Sequence, residues 1–214
     1  MSEAVTDGAE ITHRRSDAYF RTVVNGLNSV LNVHVVGEQL EEPEIITPNH
    51  IAYREVAVLG VATWLNSKNC KPPAFMAKKE LLYPPVGWAL RPLGAFGVDR
   101  GDAKMPQLTR YAEIARDDNR PTVIYPEGSR HKGKKEPDEI RMDAVRPGAL
   151  KIANELGMNI RPAATVMRGP RQNLVYFAEA FKCEGAGTAE LGERMQDVLD
   201  HAVHEADKLW GNSC

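Results

Sequence analysis

The chain has 214 residues and a formal net charge of −2, from 27 Lys and Arg against 29 Asp and Glu. With 43% hydrophobic and 26% charged residues, it is globular rather than disordered and long enough to bury a core without disulfide or metal staples. The near-neutral balance excludes a protein that holds nucleic acid by net charge.

Residues 1–16 are polar and read as a flexible tail, with no apolar stretch of a signal peptide. Phe20, Val23, Val24, Leu27, Val30 and Leu31 then recur at helical spacing, with Arg21, Asn25, Asn28 and Asn32 between them. That is an amphipathic helix, docked on the core or lying on a membrane surface. Val33–Val36 and Glu44–Thr47 read as strands joined through Gly37–Pro43, and Glu55–Asn66 as a helix. Pro73–Ala77 is a short strand. Pro84, Pro85 and Pro92 break any helix over 79–93. Next come a strand at Ala95–Val98, a helix at Pro106–Arg116, a strand at Thr122–Tyr125 and a charged loop at Gly128–Glu139. A helix at Arg146–Leu156, strands at Ile160–Val166 and Leu174–Ala178, and a long helix at Thr188–Trp210 complete the chain. Strands alternating with helices predict a single α/β domain over 17–214, with a mostly parallel or mixed central sheet flanked by helices. No run reaches the roughly 20 apolar residues of a membrane span.

Charge is unevenly placed. From Lys68 to Lys104 there are seven basic and three acidic residues, and from Glu184 to Lys208 two basic and seven acidic. The basic middle suits an anion, although two solvated faces give the same pattern. Cys70, Cys183 and Cys214 have no metal or redox spacing and read as reduced thiols of a cytosolic protein.

In α/β folds, function gathers on the loops at strand ends, and four segments there stand out. In Pro48-Asn49-His50-Ile51-Ala52-Tyr53-Arg54-Glu55, an imidazole leaves an apolar strand and a carboxylate opens the next helix. Such a carboxylate fixes the tautomer of a general base. A loop histidine beside a helix-start glutamate would read the same. In Gly94-Ala95-Phe96-Gly97-Val98-Asp99-Arg100, small residues precede an arginine whose planar fork suits phosphate, or a salt bridge with Asp99 or Asp102. In Tyr125-Pro126-Glu127-Gly128-Ser129-Arg130, a strand runs into a glycine-containing turn whose amides and arginine can hold phosphate or an oxyanion. A plain turn with a solvated basic run reads alike. Ile160-Arg161-Pro162-Ala163 says little alone.

Taken in order, Asn49-His50 with Glu55, Gly94 to Arg100, Pro126 to Arg130 and Ile160-Arg161-Pro162 resemble the four blocks of the glycerolipid acyltransferase family. That family includes the 1-acyl-glycerol-3-phosphate acyltransferases, and the resemblance spans 49–166. It implies transfer of a fatty acyl group from coenzyme A or acyl carrier protein to a hydroxyl of a lysophosphatidate-like glycerolipid. His50 would take the hydroxyl proton and Glu55 would orient it. Arg100 and Arg130 would hold the acceptor phosphate in a pocket shaped by Glu127, Gly128 and Ser129. No metal, cofactor or covalent nucleophile is implied; the acyl thioester is a co-substrate.

Three residues depart from the family pattern. Glu55 stands where aspartate is usual, Tyr125 where phenylalanine is frequent, and Tyr53-Arg54 where small or polar residues are common. Arg54 is expected to point to solvent, with an extra phosphate contact as the alternative. Since acceptor and product are lipids, the expected site of action is the inner face of the cell membrane. Lys71, Lys78, Lys79, Arg91, Lys104 and the helix Phe20–Leu31 are expected to make that peripheral contact. Three alternatives stay open: another lysolipid or a glycolipid as acceptor, a non-catalytic lipid-binding member in which Glu55 has cost turnover, and a thioesterase-like hydrolase. His34, His131, His201, His204 and Cys70 are read as non-catalytic. Trp88 is read as packing, with an acyl groove or entry into lipid at the interface as the other uses.

Overall fold

The computed structural model describes residues 17–52, 54–78, 83, 94–98, 105–128 and 144–211. The expected tail over 1–16, the proline-broken segment apart from Tyr83, and most of the charged loop with His131 lie outside them. So do Trp88 and Cys214. The elements run α1 (Asp17–Leu31), β1 (Val33–Gly37), β2 (Ile45–Pro48), α2 (Arg54–Asn66), β3 (Ala74–Lys78), β4 (Ala95–Val98), α3 (Met105–Asp117), β5 (Thr122–Val123), α4 (Gly148–Leu156), β6 (Ile160–Gly169), β7 (Gln172–Phe177) and α5 (Thr188–Trp210).

The seven strands form one sheet in the order β1-β7-β6-β2-β5-β3-β4. Every neighbouring pair is parallel except the hairpin β6–β7, so the expected α/β class with a mostly parallel sheet holds. Gly37–Pro43 is not a hairpin turn, because β7 and β6 lie between β1 and β2. β5 is two residues shorter than the sequence suggested. Pro126 starts a turn in which the Gly128 N–H donates to Tyr125 O at 3.1 Å, and proline presets the backbone for such a turn. β6 runs past Val166 to Gly169, where the Arg168 guanidinium pairs with Asp207 of α5.

Side-chain alternation along the strands sorts the core into layers. Ile46, Phe75, Val123, Ala163, Val175 and Phe177 face α1 and α2 with Phe20, Val24, Val58, Leu59 and Ala62. Their chain neighbours face the opposite way: Ile45 and Ile160 meet α3, α4 and the start of α5 through Ala112, Ile152, Leu191 and Met195. Ala164, Val166 and Leu174 meet the rest of α5 through Val198, Leu199 and Ala202. The sheet is therefore sandwiched between helices, and β2 is buried along its whole length. The apolar stripe of α1 is used in the core: Phe20 and Val24 are buried, and the Phe20 ring sits edge-on to Trp64 at 5.5 Å. No described helix is long and apolar enough to cross a membrane.

Candidate active site

Because β2, β3, β4 and β5 are parallel, their carboxyl ends lie along one edge of the sheet. That edge is the usual ligand position in open α/β folds. Three of the four motif blocks leave from it, at the ends of β2, β4 and β5.

Asn49 anchors the first. Its Oδ1 accepts the Thr165 N–H at 2.8 Å and its Nδ2 donates to Thr165 O at 3.2 Å. The buried carboxamide thus extends the β2–β6 ladder by one rung beyond Pro48, and His50 leaves the sheet from a fixed point. The backbone N–H of His50 donates to Glu127 Oε1 at 3.1 Å, which ties it to the turn after β5.

Glu55 lies in the first turn of α2 and is fully buried. Its Oε2 accepts from the N–H groups of Ile51 and Ala52, the latter at 3.0 Å. Its Oε1 meets His50 Nδ1. A buried carboxylate needs its lone pairs engaged, and here amides, the helix dipole and the imidazole engage them. An ionised carboxylate can only accept, which selects the imidazole tautomer with its proton on Nδ1 and leaves a lone pair on Nε2 of the neutral ring. The side chain one methylene longer than aspartate therefore reaches the histidine and caps the turn between them. The His50 side chain is 13% exposed, and Nε2 is the ring nitrogen that Glu55 does not engage.

Tyr125 packs on the imidazole, ring centroids 4.2 Å apart and planes at 31°. Burial pushes its phenol well above the ordinary value, and the Glu55 carboxylate adds to this. Among the described residues, the buried hydroxyl oxygen has no hydrogen-bond partner. An unsatisfied buried hydroxyl costs about 1–3 kcal/mol, so Tyr125→Phe should stabilise the protein. We expect its melting temperature to rise by several degrees, at about 2–4 °C per kcal/mol, with activity retained. A lower melting temperature for Tyr125→Phe would show that the hydroxyl has a partner.

Glu127 is buried and, besides shaping the turn, holds His50 through the main chain. Gly128 has φ +70, a left-handed conformation that glycine adopts without strain. Arg100, Ser129 and Arg130 lie outside the described residues, as does Tyr53.

Two arginines behave differently from expectation. Arg54 points neither to solvent nor to the site edge. Its Nη2 donates to Gly169 O at 2.8 Å and Asn173 Oδ1 at 3.1 Å, while Asn173 donates to Leu31 O. It fastens the start of α2 to the β6–β7 hairpin and the end of α1. Arg161, from the fourth block, sits near the start of β6, opposite Ile46. It forms a bidentate pair with buried Glu44 just before β2 and donates to Ala178 O at 2.7 Å. That is the amino end of the parallel strands, away from His50, so this block braces the scaffold. Nothing local in the sequence reveals either partner: Arg161 and Glu44 are 117 positions apart.

Among the described residues, Cys70, Cys183, His34 and His201 make no hydrogen bond or ring contact with His50 or Glu55. Cys70 and Cys183 are free and buried, and burial raises both thiols, which makes them poor nucleophiles. His34 packs on Trp210, and His201 is exposed beside Tyr176.

Against known proteins, a family model described as Acyltransferase matches residues 30–166. A 1-acyl-sn-glycerol-3-phosphate acyltransferase of Helicobacter pylori is 30% identical over 138 residues, which is 64% of this chain and 54% of that protein. A protein of the same name from Streptococcus pneumoniae is 27% identical over 140 residues, 65% of this chain and 47% of that one. The chain thus spans about half the length of the curated relatives it matches. The crystal structure of the 1-acyl-sn-glycerophosphate acyltransferase PlsC from Thermotoga maritima shares the fold with a TM-score of 0.59. It is 18% identical, and the match covers 92% of this chain and 85% of that one.

Proposed function

Since the chain belongs to the acyltransferase family, we propose that it moves a fatty acyl group from a thioester to the free hydroxyl of a lysophosphatidate-like glycerolipid. The donor is an acyl-coenzyme A or an acylated carrier protein. The observation that carries this reading is the His50–Glu55 pair at the carboxyl end of β2, with Nδ1 committed to a buried carboxylate.

In this mechanism Nε2 of His50 removes the acceptor's hydroxyl proton as the oxygen attacks the thioester carbonyl. Glu55 stabilises the imidazolium that results, and the Tyr125 ring lies against it. The tetrahedral intermediate collapses with cleavage of the C–S bond, and the proton on Nε2 passes to the departing thiolate. Atoms and charge balance without metal or covalent enzyme intermediate. Arg100 and Arg130 are proposed to hold the acceptor phosphate next to the Glu127-Gly128-Ser129 turn. Among the basic residues proposed for peripheral contact with the membrane's inner face, Lys71 already pairs with Asp118 at 2.6 Å. That contact therefore falls mainly to Lys78, Lys79, Arg91 and Lys104. Glu55 reaches His50, so the substitution that suggested a non-catalytic member leaves the pair joined.

The test is thiol release from palmitoyl-coenzyme A, and from palmitoylated carrier protein, with and without lysophosphatidate in detergent. Release that requires lysophosphatidate supports the proposal. Release without an acceptor would make the protein a thioesterase. Acceptor-dependent release only with another lysolipid or a glycolipid would reassign the acceptor. No release with any donor or acceptor from a folded sample would make it a lipid-binding protein.

A further inference from the structure

We propose that Arg146 is a further contact for the acceptor's phosphate, reaching the site from the far side of the charged loop. The inference deepens the acyltransferase reading and rests on it for the identity of the ligand.

Arg146 is remote in sequence from the turn after β5 but adjacent in space. Its N–H donates to Pro126 O at 2.9 Å, which fixes its backbone alongside Pro126-Glu127-Gly128. The side chain then lies across Gly128. A Cβ at that position would come within 2.9 Å of Nε, 3.0 Å of Cζ and 3.1 Å of Cδ. The missing side chain at Gly128 is therefore what admits the guanidinium to the turn, in addition to the glycine's left-handed backbone.

The position links directly to the base. Gly128 follows Glu127, and Glu127 accepts the backbone N–H of His50, so one short path of contacts runs from the main chain that carries the imidazole to the guanidinium. Arg146 is exposed, and no described carboxylate or carbonyl accepts a hydrogen bond from its guanidinium. The other arginines around the sheet are spent differently: Arg54, Arg161 and Arg168 donate to structural acceptors. Electrostatics favours the same role. The described site contains two buried carboxyl groups, Glu55 and Glu127. A phosphate monoester approaching them needs cationic compensation, and a guanidinium fork can give two parallel hydrogen bonds to it.

Two measurements on the full chain decide the matter. The first is steady-state acylation of lysophosphatidate and of monoacylglycerol, which lacks the phosphate, by wild type, Arg146→Ala and Arg146→Lys. Arg146→Ala should raise the lysophosphatidate KM by about 10- to 100-fold and leave both the donor KM and monoacylglycerol acylation unchanged. Arg146→Lys should recover part of the loss. Equal losses with the two acceptors, or an unchanged KM, would overturn the proposal. The second is equilibrium binding of detergent-dispersed lysophosphatidate to the same three proteins, which needs no turnover. If wild type binds but does not transfer, and Arg146→Ala weakens binding by the same factor, the acyltransferase reading fails while the phosphate contact stands. Binding that is absent in wild type, or indifferent to Arg146, overturns the contact whether or not transfer occurs.

Discussion

With His50 replaced by alanine, acyl transfer to lysophosphatidate should fall by about 10²- to 10⁴-fold while the protein still folds. The imidazole is the group that takes the proton in the proposed reaction, and no other described side chain is placed to substitute for it. Glu55→Gln is the sharper variant. In the native arrangement the two carboxylate oxygens serve three donors: Nδ1–H of His50 and the amides of Ile51 and Ala52. A carboxamide has one oxygen and one amino group. If its oxygen stays on the two amides, the amino group faces the imidazole and favours the tautomer with the proton on Nε2. The base is then blocked without any loss of bulk, and kcat should fall into the same range. Glu55→Asp keeps the charge but shortens the reach across the turn, so its loss should be smaller. All three are read from kcat at saturating donor and acceptor, beside a thermal melt. Activity of His50→Ala within a few-fold of wild type would remove the imidazole from the mechanism.

The parts of this arrangement that were readable from the sequence are those written in short spacing. Ile45 and Ile46 fall in the strand read at Glu44–Thr47, and in the structure they pack into opposite layers. His50 and Glu55 are one loop apart, so a strand end and a helix start suffice to bring them together. The strand order was not readable, because β1–β7 and β2–β6 are pairings between distant segments with no turn between them. Arg54 illustrates the same limit. Its place before Glu55 suggests a solvent-facing side chain, or at most a phosphate contact, whereas its partners Gly169 and Asn173 lie more than a hundred positions away. Tyr125 departs from the frequent phenylalanine by one hydroxyl, and only the structure sets its ring against the imidazole and leaves that hydroxyl without a partner among the described residues. Asn49 looks like a simple companion of His50, and only the β2–β6 pairing shows that its carboxamide continues the ladder.

Arg161→Met should be the most destabilising of the single substitutions considered, and its effect on catalysis should be slight. The side chains of Arg161 and Glu44 are 7% and 4% exposed, and the guanidinium meets both oxygens of the carboxylate as well as Ala178 O. Removing the arginine leaves a buried carboxylate without its counter-ion, which costs about 3–5 kcal/mol. For a domain of this size the melting temperature should fall by roughly 6–20 °C. Replacing both partners, as Glu44→Met with Arg161→Met, removes the stranded charge together with the pair. The double variant should melt well above Arg161→Met, because apolar side chains of similar volume often stabilise such positions as well as the ion pair does. Glu44 and His50 are separated by β2 and Asn49, roughly 20 Å at the rise of an extended chain. Below their melting temperatures, both variants should therefore keep the wild-type KM for the acceptor. An Arg161→Met protein that melts normally but loses acceptor affinity would instead place the fourth motif block in the binding site.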